Sequence, residues 1–230
     1  MQKPIYILNI ETSTKNCSVS ISKNETTIAL KELCAANFSH AEKLHQFILE
    51  VLTQSNLTLT DLDAIAVGKG PGSYTGLRIG VSAVKGLCFA LDIPLLAINT
   101  LTILANAITV KDAYIIPLLD ARRLEVYTAV FNDKSEEITQ TNNHILNEQS
   151  FINYLNDKKV YFLGDGASKT KDIITNSNAI FLDNYHPSAK EMGKLAYQKF
   201  TNNDFEDVAY FEPFYLKDFH VTVSKKKPKL

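Results

Sequence analysis

Six of the nine glycines in this chain fall in one stretch, DAIAVGKGPGSYTGLRIGVSAVKGLCFAL, which runs from Asp63 to Leu91. They are Gly68, Gly70, Gly72, Gly76, Gly80 and Gly86. Residues 64–67 are a short apolar run with branched members, the pattern of a buried strand. Pro71 and the glycines around it then break the chain into a tight loop. Ser73 or Thr75 can cap a helix at the end of that loop. From residue 75 to 91 there is no proline, and apolar residues recur at helical spacing. Leu77, Val81, Val84, Leu87, Cys88 and Leu91 make one apolar face. Ile79, Ala83, Gly86 and Ala90 make a second seam of mostly small residues, and Arg78 and Lys85 are the only charges. A helix apolar nearly all round is expected to be covered nearly all round. One face should rest on its own sheet. The second has two candidate owners, another helix of the same unit or a partner chain.

The 230 residues suffice for one large domain or two small ones. A net charge of −1 excludes a general attraction to nucleic acid or membrane, and no apolar run is long enough to span a bilayer. Cys17, Cys34 and Cys88 are widely spaced and form no CxxC pair, so neither a zinc site nor a disulfide framework is expected. Free thiols and a strand-like N-terminus, IYILNI, give the expectation of a cytoplasmic protein.

The order of elements repeats. Residues 4–10 read as a strand closed by the polar turn Glu11-Thr12-Ser13-Thr14. Residues 17–22, CSVSIS, alternate as a half-exposed strand does, and residues 26–33 read as a third strand. A helix comes next over residues 39–54, with Ser39 as N-cap and Glu42 in capping-box position. Then come the strand, glycine loop and helix described above, a short strand at 95–98 and a helix at 101–107. In the second half, residues 113–119 form a strand ending at Asp120. Strands at 125–131 and 138–141 and a helix at 149–155 come after it. The strand at 159–163 runs into Gly164-Asp165-Gly166, a further helix starts near Ser168, and the last covers 188–200. The reading is an α/β chain of two similar RNase H-like domains, of the actin, Hsp70 and sugar-kinase type. They span residues 1–110 and 111–223, and the lysine-rich tail at 224–230 is expected to be disordered.

Enzymes of that architecture hold ATP in the cleft on glycine-rich turns, with a nearby acid serving magnesium. Here the corresponding turns are Glu11-Thr12-Ser13-Thr14 and Asp120-Ala121-Arg122-Arg123, neither with a glycine. Side chains there would hold phosphate oxygens away from the backbone amides, so no nucleotide cofactor is expected. His40 and His45 are five residues apart, about 140° round a helix, where two ligands do not easily share one metal ion. No metal site and no catalytic residue is assigned. The helix at 39–54 has a wide apolar sector that includes His40, Ala41, Leu44, His45, Phe47, Ile48, Leu49, Val51 and Leu52.

Several motifs together carry a family resemblance: LNIETSTKNCSVSI, SHAEKLHQFI, VGKGPGSYTGLRIGVSAVKGL, INTL, LLDARRLEVY and EPFYLK. In this order, over almost the whole chain, they resemble the TsaB (YeaZ) family. Gly70, Gly72, Ser73, Tyr74, Thr75 and Gly76, within GPGSYTGLRIG, are the most specific part. Members usually carry aspartate where this chain has Glu11. The resemblance implies a non-catalytic assembly subunit of the bacterial tRNA threonylcarbamoyladenosine machinery, needed for threonylcarbamoyl transfer to adenosine 37 of tRNAs that read ANN codons. It implies a TsaD-like catalytic paralogue, a TsaE-like ATPase, tRNA bound through the complex, and a homodimer as an option when alone. The two paralogues of such complexes meet through their N-terminal helices. That places partner binding on Ala41, Leu44, His45, Ile48 and Leu52 of the first helix, and on Arg78, Ile79, Ala83, Gly86 and Ala90 of the second. The competing reading is an ATP-binding enzyme of the same fold, kinase-like or metallopeptidase-like.

Overall fold

The computed structural model describes residues 3–34 and 40–217. Ser39, expected to cap the first helix, and the tail at 224–230 lie outside these. The first half contains β1 (Tyr6–Glu11), β2 (Asn16–Lys23), β3 (Thr26–Cys34), α1 (His40–Ser55), β4 (Ala64–Gly70), α2 (Tyr74–Leu91), β5 (Leu95–Asn99) and α3 (Thr100–Ala105). The second contains β6 (Ala113–Asp120), β7 (Glu125–Phe131), β8 (Glu137–Ile145), α4 (Ile152–Leu155), β9 (Lys159–Leu163), α5 (Ala167–Lys171), β10 (Ala179–Leu182) and α6 (Met192–Thr201).

Each half builds a five-stranded sheet of the same topology, β3-β2-β1-β4-β5 and β8-β7-β6-β9-β10. In both, the first strand pairs antiparallel with the second and parallel with the fourth. The repeat expected from element order is therefore present in the strand order as well. The sequence pattern does not announce β10, because AIFL comes after an asparagine-rich loop and is only partly buried.

Two helices are exchanged between the halves. Leu101, Leu104 and Ala105 of α3, from the first half, pack on Ile115, Leu119, Ala129, Phe131 and Leu163 of the second sheet. Met192 and Ala196 of α6, from the second half, pack on Ile7, Ala64, Ala66, Leu96 and Ile98 of the first. The division at residues 110 and 111 thus separates the sheets but not their coverings, and α6 belongs with the first. Apolar faces decide this: Ile7, Ala64 and Ala66 need a cover that α1 and α2, on the other side, cannot give.

The alternation of CSVSIS also means something other than half exposure. Ser18, Ser20 and Ser22 are fully buried. The returning segment before α6 satisfies the first two: the Ser20 hydroxyl donates to the Ala189 carbonyl at 2.7 Å, and the Ala189 amide donates to Ser18 Oγ at 3.0 Å. The amide of Asn9 reaches Ser22 Oγ at 3.2 Å. The three buried hydroxyls are tolerated here because each finds a partner.

The helix α1 covers β2 and β3 with Leu44, Phe47, Ile48, Val51 and Leu52, all buried. On α2, Leu77, Val81, Val84 and Cys88 are the buried face, as the periodicity predicts. Ser73 caps α2, its hydroxyl accepting from the Gly76 amide at 3.3 Å.

Glycines along α2 have opposite uses. A Cβ on Gly80 would collide with the Thr12 hydroxyl, whereas one on Gly86 would meet nothing within 4 Å. Replacing each by alanine gives opposite results: Gly86→Ala should stabilise by about 0.5–1 kcal/mol, the helix-propensity difference. Gly80→Ala should destabilise by about 1–3 kcal/mol, as overpacking does. Denaturant unfolding of the two variants checks the signs.

Candidate functional site

The turn after β1 is where a nucleotide-binding protein of this architecture would hold phosphate. In this chain it is buried and already occupied by its own groups. Glu11, Thr12, Ser13 and Thr14 are all buried. The Glu11 carboxylate folds back and accepts the Ser13 amide at 2.6 Å. The Thr12 hydroxyl donates to the Gly76 carbonyl at 2.8 Å, and the Ser73 amide donates to the Ser13 carbonyl at 2.6 Å. The His40 ring donates from Nε2 to the Thr14 carbonyl at 2.7 Å. The glycine loop makes this contact close enough. A Cβ at Gly68 would overlap the Glu11 carboxylate, one at Gly72 the Ser13 carbonyl, and one at Gly76 the Thr12 carbonyl. The loop's glycines therefore hold a backbone turn against the helix N-terminus.

Burial pushes the Glu11 carboxyl up to about 6, against the pull of its bonds to Ser13 and Thr12. Burial lowers the His40 pKa, which favours the neutral ring. Burial also raises the Cys88 thiol to about 12, so it is an inert core residue. At the second turn, Asp120 is exposed and ion-paired with Lys169 at 2.5 Å. Glu11 and Asp120 are thus not alike, although both end the first strand of a sheet.

The expected partner residues separate into three groups. Leu44, Ile48 and Leu52 of α1 lie in the core, which narrows the surplus apolar sector expected there to Ala41, His45 and Leu49. Ile79 and Ala83 of α2 are half-buried against the same core. Ala41, His45, Arg78, Gly86 and Ala90 are exposed. The outward face of α2 runs through Arg78, Ser82, Gly86, Phe89 and Ala90, and Phe89 is 84% exposed. Ala41, His45 and Leu49 recur at every fourth residue as a second exposed stripe, on α1. The exposed line of α2 lies one residue round the helix from the seam that the sequence suggests. Phe89 is the residue that the seam omits, although it lies three and seven residues beyond Gly86 and Ser82.

Of the glycine loop, Gly72, Ser73 and Gly76 touch the buried turn, whereas Gly70 lies against Phe214 and Leu77, Tyr74 against Tyr215, and Thr75 is exposed. Long-range partners of this region are not readable from sequence. Tyr215 packs on Tyr74 at 4.9 Å between ring centroids, and the Arg78 guanidinium lies 5.3 Å from the Tyr74 ring centre. The Phe214 amide donates to the Lys69 carbonyl at 2.7 Å, and Lys85 reaches the carbonyls of Ala209 and Phe211. The C-terminal segment thereby straps one flank of α2, at Tyr74 and Lys85, and the loop at Lys69.

Among the described residues no three of His, Cys, Asp and Glu come together as a metal ligand set. His40 is buried and bonded to Thr14, while His45 faces solvent. No helix among the described residues is long and apolar enough to cross a membrane.

Two sheets of identical order, each with an antiparallel hairpin and a parallel crossover, and helices exchanged between them, define a protein of the actin-like, duplicated RNase H class. Residues 34–225 match the family model described as TsaD, tRNA N6-adenosine threonylcarbamoyltransferase. The chain is 30% identical to the tRNA threonylcarbamoyladenosine biosynthesis protein TsaB of Escherichia coli, over 92% of this chain and 94% of that one. It is 34% identical to the Bacillus subtilis protein of the same name, over 73% and 74%. A solved structure of YeaZ from Pseudomonas aeruginosa superimposes with a TM-score of 0.79 at 26% identity, covering 92% of this chain and 100% of that one. The chain belongs to the TsaB (YeaZ) family.

The buried Glu11 makes stability depend on pH. Its folded pKa of about 6 lies above the 4.5 of an ordinary glutamate. Between these values the folded chain keeps a proton that the unfolded chain has lost, so stability declines as pH rises through that window. A shift of this size is worth about 2 kcal/mol. Glu191, raised by burial to about 7, adds a slope of the same sign. Glu11→Gln should remove its own share and leave that of Glu191. Denaturant unfolding of parent and variant at about pH 4.5 and about pH 7 should show a flatter dependence in the variant.

Proposed function

We propose that this chain is a non-catalytic subunit in the biosynthesis of threonylcarbamoyladenosine in tRNA. It works in the cytoplasm, bound to a TsaD-like catalytic paralogue and served by a TsaE-like ATPase. Residues 1–110 supply the partner surface, and the second unit braces it. The observation that carries this reading is the outward face of α2, where Phe89 stands 84% exposed beside Gly86 and Ala90. A large aromatic flanked by small residues is the usual form of an interface anchor, since it can enter a pocket while the two backbones approach closely. The membership of the family supports the pathway. The E. coli and B. subtilis relatives are named for threonylcarbamoyladenosine biosynthesis.

A non-catalytic role is supported by the state of the first turn. The Ser13 amide, which could bind phosphate, is already bonded to Glu11. The chain supplies its own anion where a nucleotide would bring one. The peptidase reading draws on a P. aeruginosa structure described as similar to peptidase YEAZ. It would need the histidines, and His40 is bonded to the Thr14 carbonyl with its pKa lowered.

The test is a pull-down of the TsaD-like paralogue with the full chain carrying Phe89→Asp. An exposed position should leave stability within about 0.5 kcal/mol of the parent. Association should weaken by about 2 kcal/mol or more, the scale of a lost anchor, or about thirtyfold in Kd. Association unchanged by Phe89→Asp would move the partner surface off α2.

A further inference from the structure

The chain beyond α6 has little regular structure, yet it is closely held. Glu206 meets the start of β5, its amide donating to the Leu95 carbonyl at 2.9 Å. A turn comes next. The Asp207 carboxylate accepts the amides of Ala209 at 2.8 Å and Tyr210 at 3.2 Å, and the Asp207 carbonyl accepts the Phe211 amide at 2.8 Å. Lys85 of α2 clamps this turn, donating to the carbonyls of Ala209 at 3.1 Å and Phe211 at 2.9 Å. Val208 and Phe211 are half-buried against the core of the first half.

One side chain takes no part in this packing. Tyr210 is 84% exposed, as Phe89 is, and these two are the most exposed large apolar side chains among the described residues. A ring left in water adds nothing to the core, so packing gives no reason for a tyrosine at the tip of so firmly held a turn. The two rings also share one flank of α2. The C-terminal segment passes Leu95, then Lys85, then Tyr74, antiparallel to the helix. Tyr210 therefore lies along α2 at the level of Lys85. Phe89 is four residues on from Lys85, one turn along the same face.

We infer that Tyr210 is a second anchor for the TsaD-like paralogue and is engaged together with Phe89. The inference rests on the proposed partner reading and extends that surface from α2 onto the Lys85-clamped turn. Tyrosine is among the residues that carry most binding energy at interfaces. Its ring fills an apolar hollow while its hydroxyl finds an acceptor at the rim. The turn is already ordered, so little conformational freedom is lost when a partner seats on it. Two protruding rings on one flank need hollows opposite them. A twofold contact between copies of this chain, centred on that flank, would set ring against ring, which favours the paralogue over a second copy as the occupant.

The experiment measures the Kd of the full chain for its TsaD-like paralogue. Tyr210→Ala should raise Kd about tenfold. Its melting temperature should stay within about 2 °C of the parent, because the position is exposed. Tyr210→Phe keeps the ring and should raise Kd about threefold at most. Lys85→Met frees the turn and leaves the ring in place. It should raise Kd about threefold in the parent and add nothing in the Tyr210→Ala background, as a lysine that acts only by positioning the tyrosine must. If Phe89→Asp weakens the complex while Tyr210→Ala leaves Kd within about twofold of the parent, the inference is overturned and the partner reading stands. If neither variant alters Kd, both fall. Paralogue binding unchanged by Tyr210→Ala, with a changed oligomeric state of the isolated chain, overturns the inference by assigning the ring to a second copy.

Discussion

The close contact between the turn after β1 and the start of α2 governs how both helices of the first half are held. Three glycines, Gly72, Gly76 and Gly80, sit where any side chain would strike the backbone or hydroxyl of Thr12 and Ser13. Four bonds then fix the turn: Glu11 to Ser13, Thr12 to Gly76, Ser73 to Ser13 and His40 to Thr14. The last of these ties α1 to the same point. One buried turn thereby orients both helices on the outer side of the first sheet. It also removes a free amide from the place where other proteins of this architecture hold phosphate. The same residues therefore govern both the helices' presentation and what the turn after β1 can still bind.

The exchange of α3 and α6 explains how two small sheets become one body. Each sheet needs cover on both faces, and each lends a helix to the other. The returning chain before α6 also meets the serine row of β2, so polar residues that would face water in an isolated half are satisfied inside the whole. The C-terminal segment completes the linkage, since Phe214 bonds to Lys69 in the first half and Lys217 to the β6–β7 turn in the second. This leaves the outer face of α2 and the Tyr210 ring as two exposed features with no evident structural duty among the described residues.

Much of this is readable from the sequence. Strand identity and repeat order come through because apolar runs of about five to nine residues are strong signals, and the bounds read for β7 and β9 are those of the structure. The glycine loop and the core face of α2 are also legible from spacing alone. Contacts between residues far apart are not. The cover over Ser18 and Ser20 comes from about 170 residues further on, and Tyr215 over Tyr74 from about 140. The loop glycines read as a tight turn, but nothing in the sequence says that Gly72, Gly76 and Gly80 make room for the chain's own turn after β1, while Gly86 of the seam stands in open space. The α1 sector looks too wide because nothing in the sequence says that β2 and β3 need Leu44, Ile48 and Leu52. Phe89 and Tyr210 are in plain sight, but exposure is not written in residue type.

Titration of Mg-ATP into the isolated chain asks whether the chain has closed its own phosphate turn. With the Ser13 amide held by Glu11 beneath Gly68, calorimetry should give no saturable heat up to millimolar nucleotide. Saturable binding that Gly68→Ala or Ser13→Pro abolishes would place nucleotide at that turn and show it to be open.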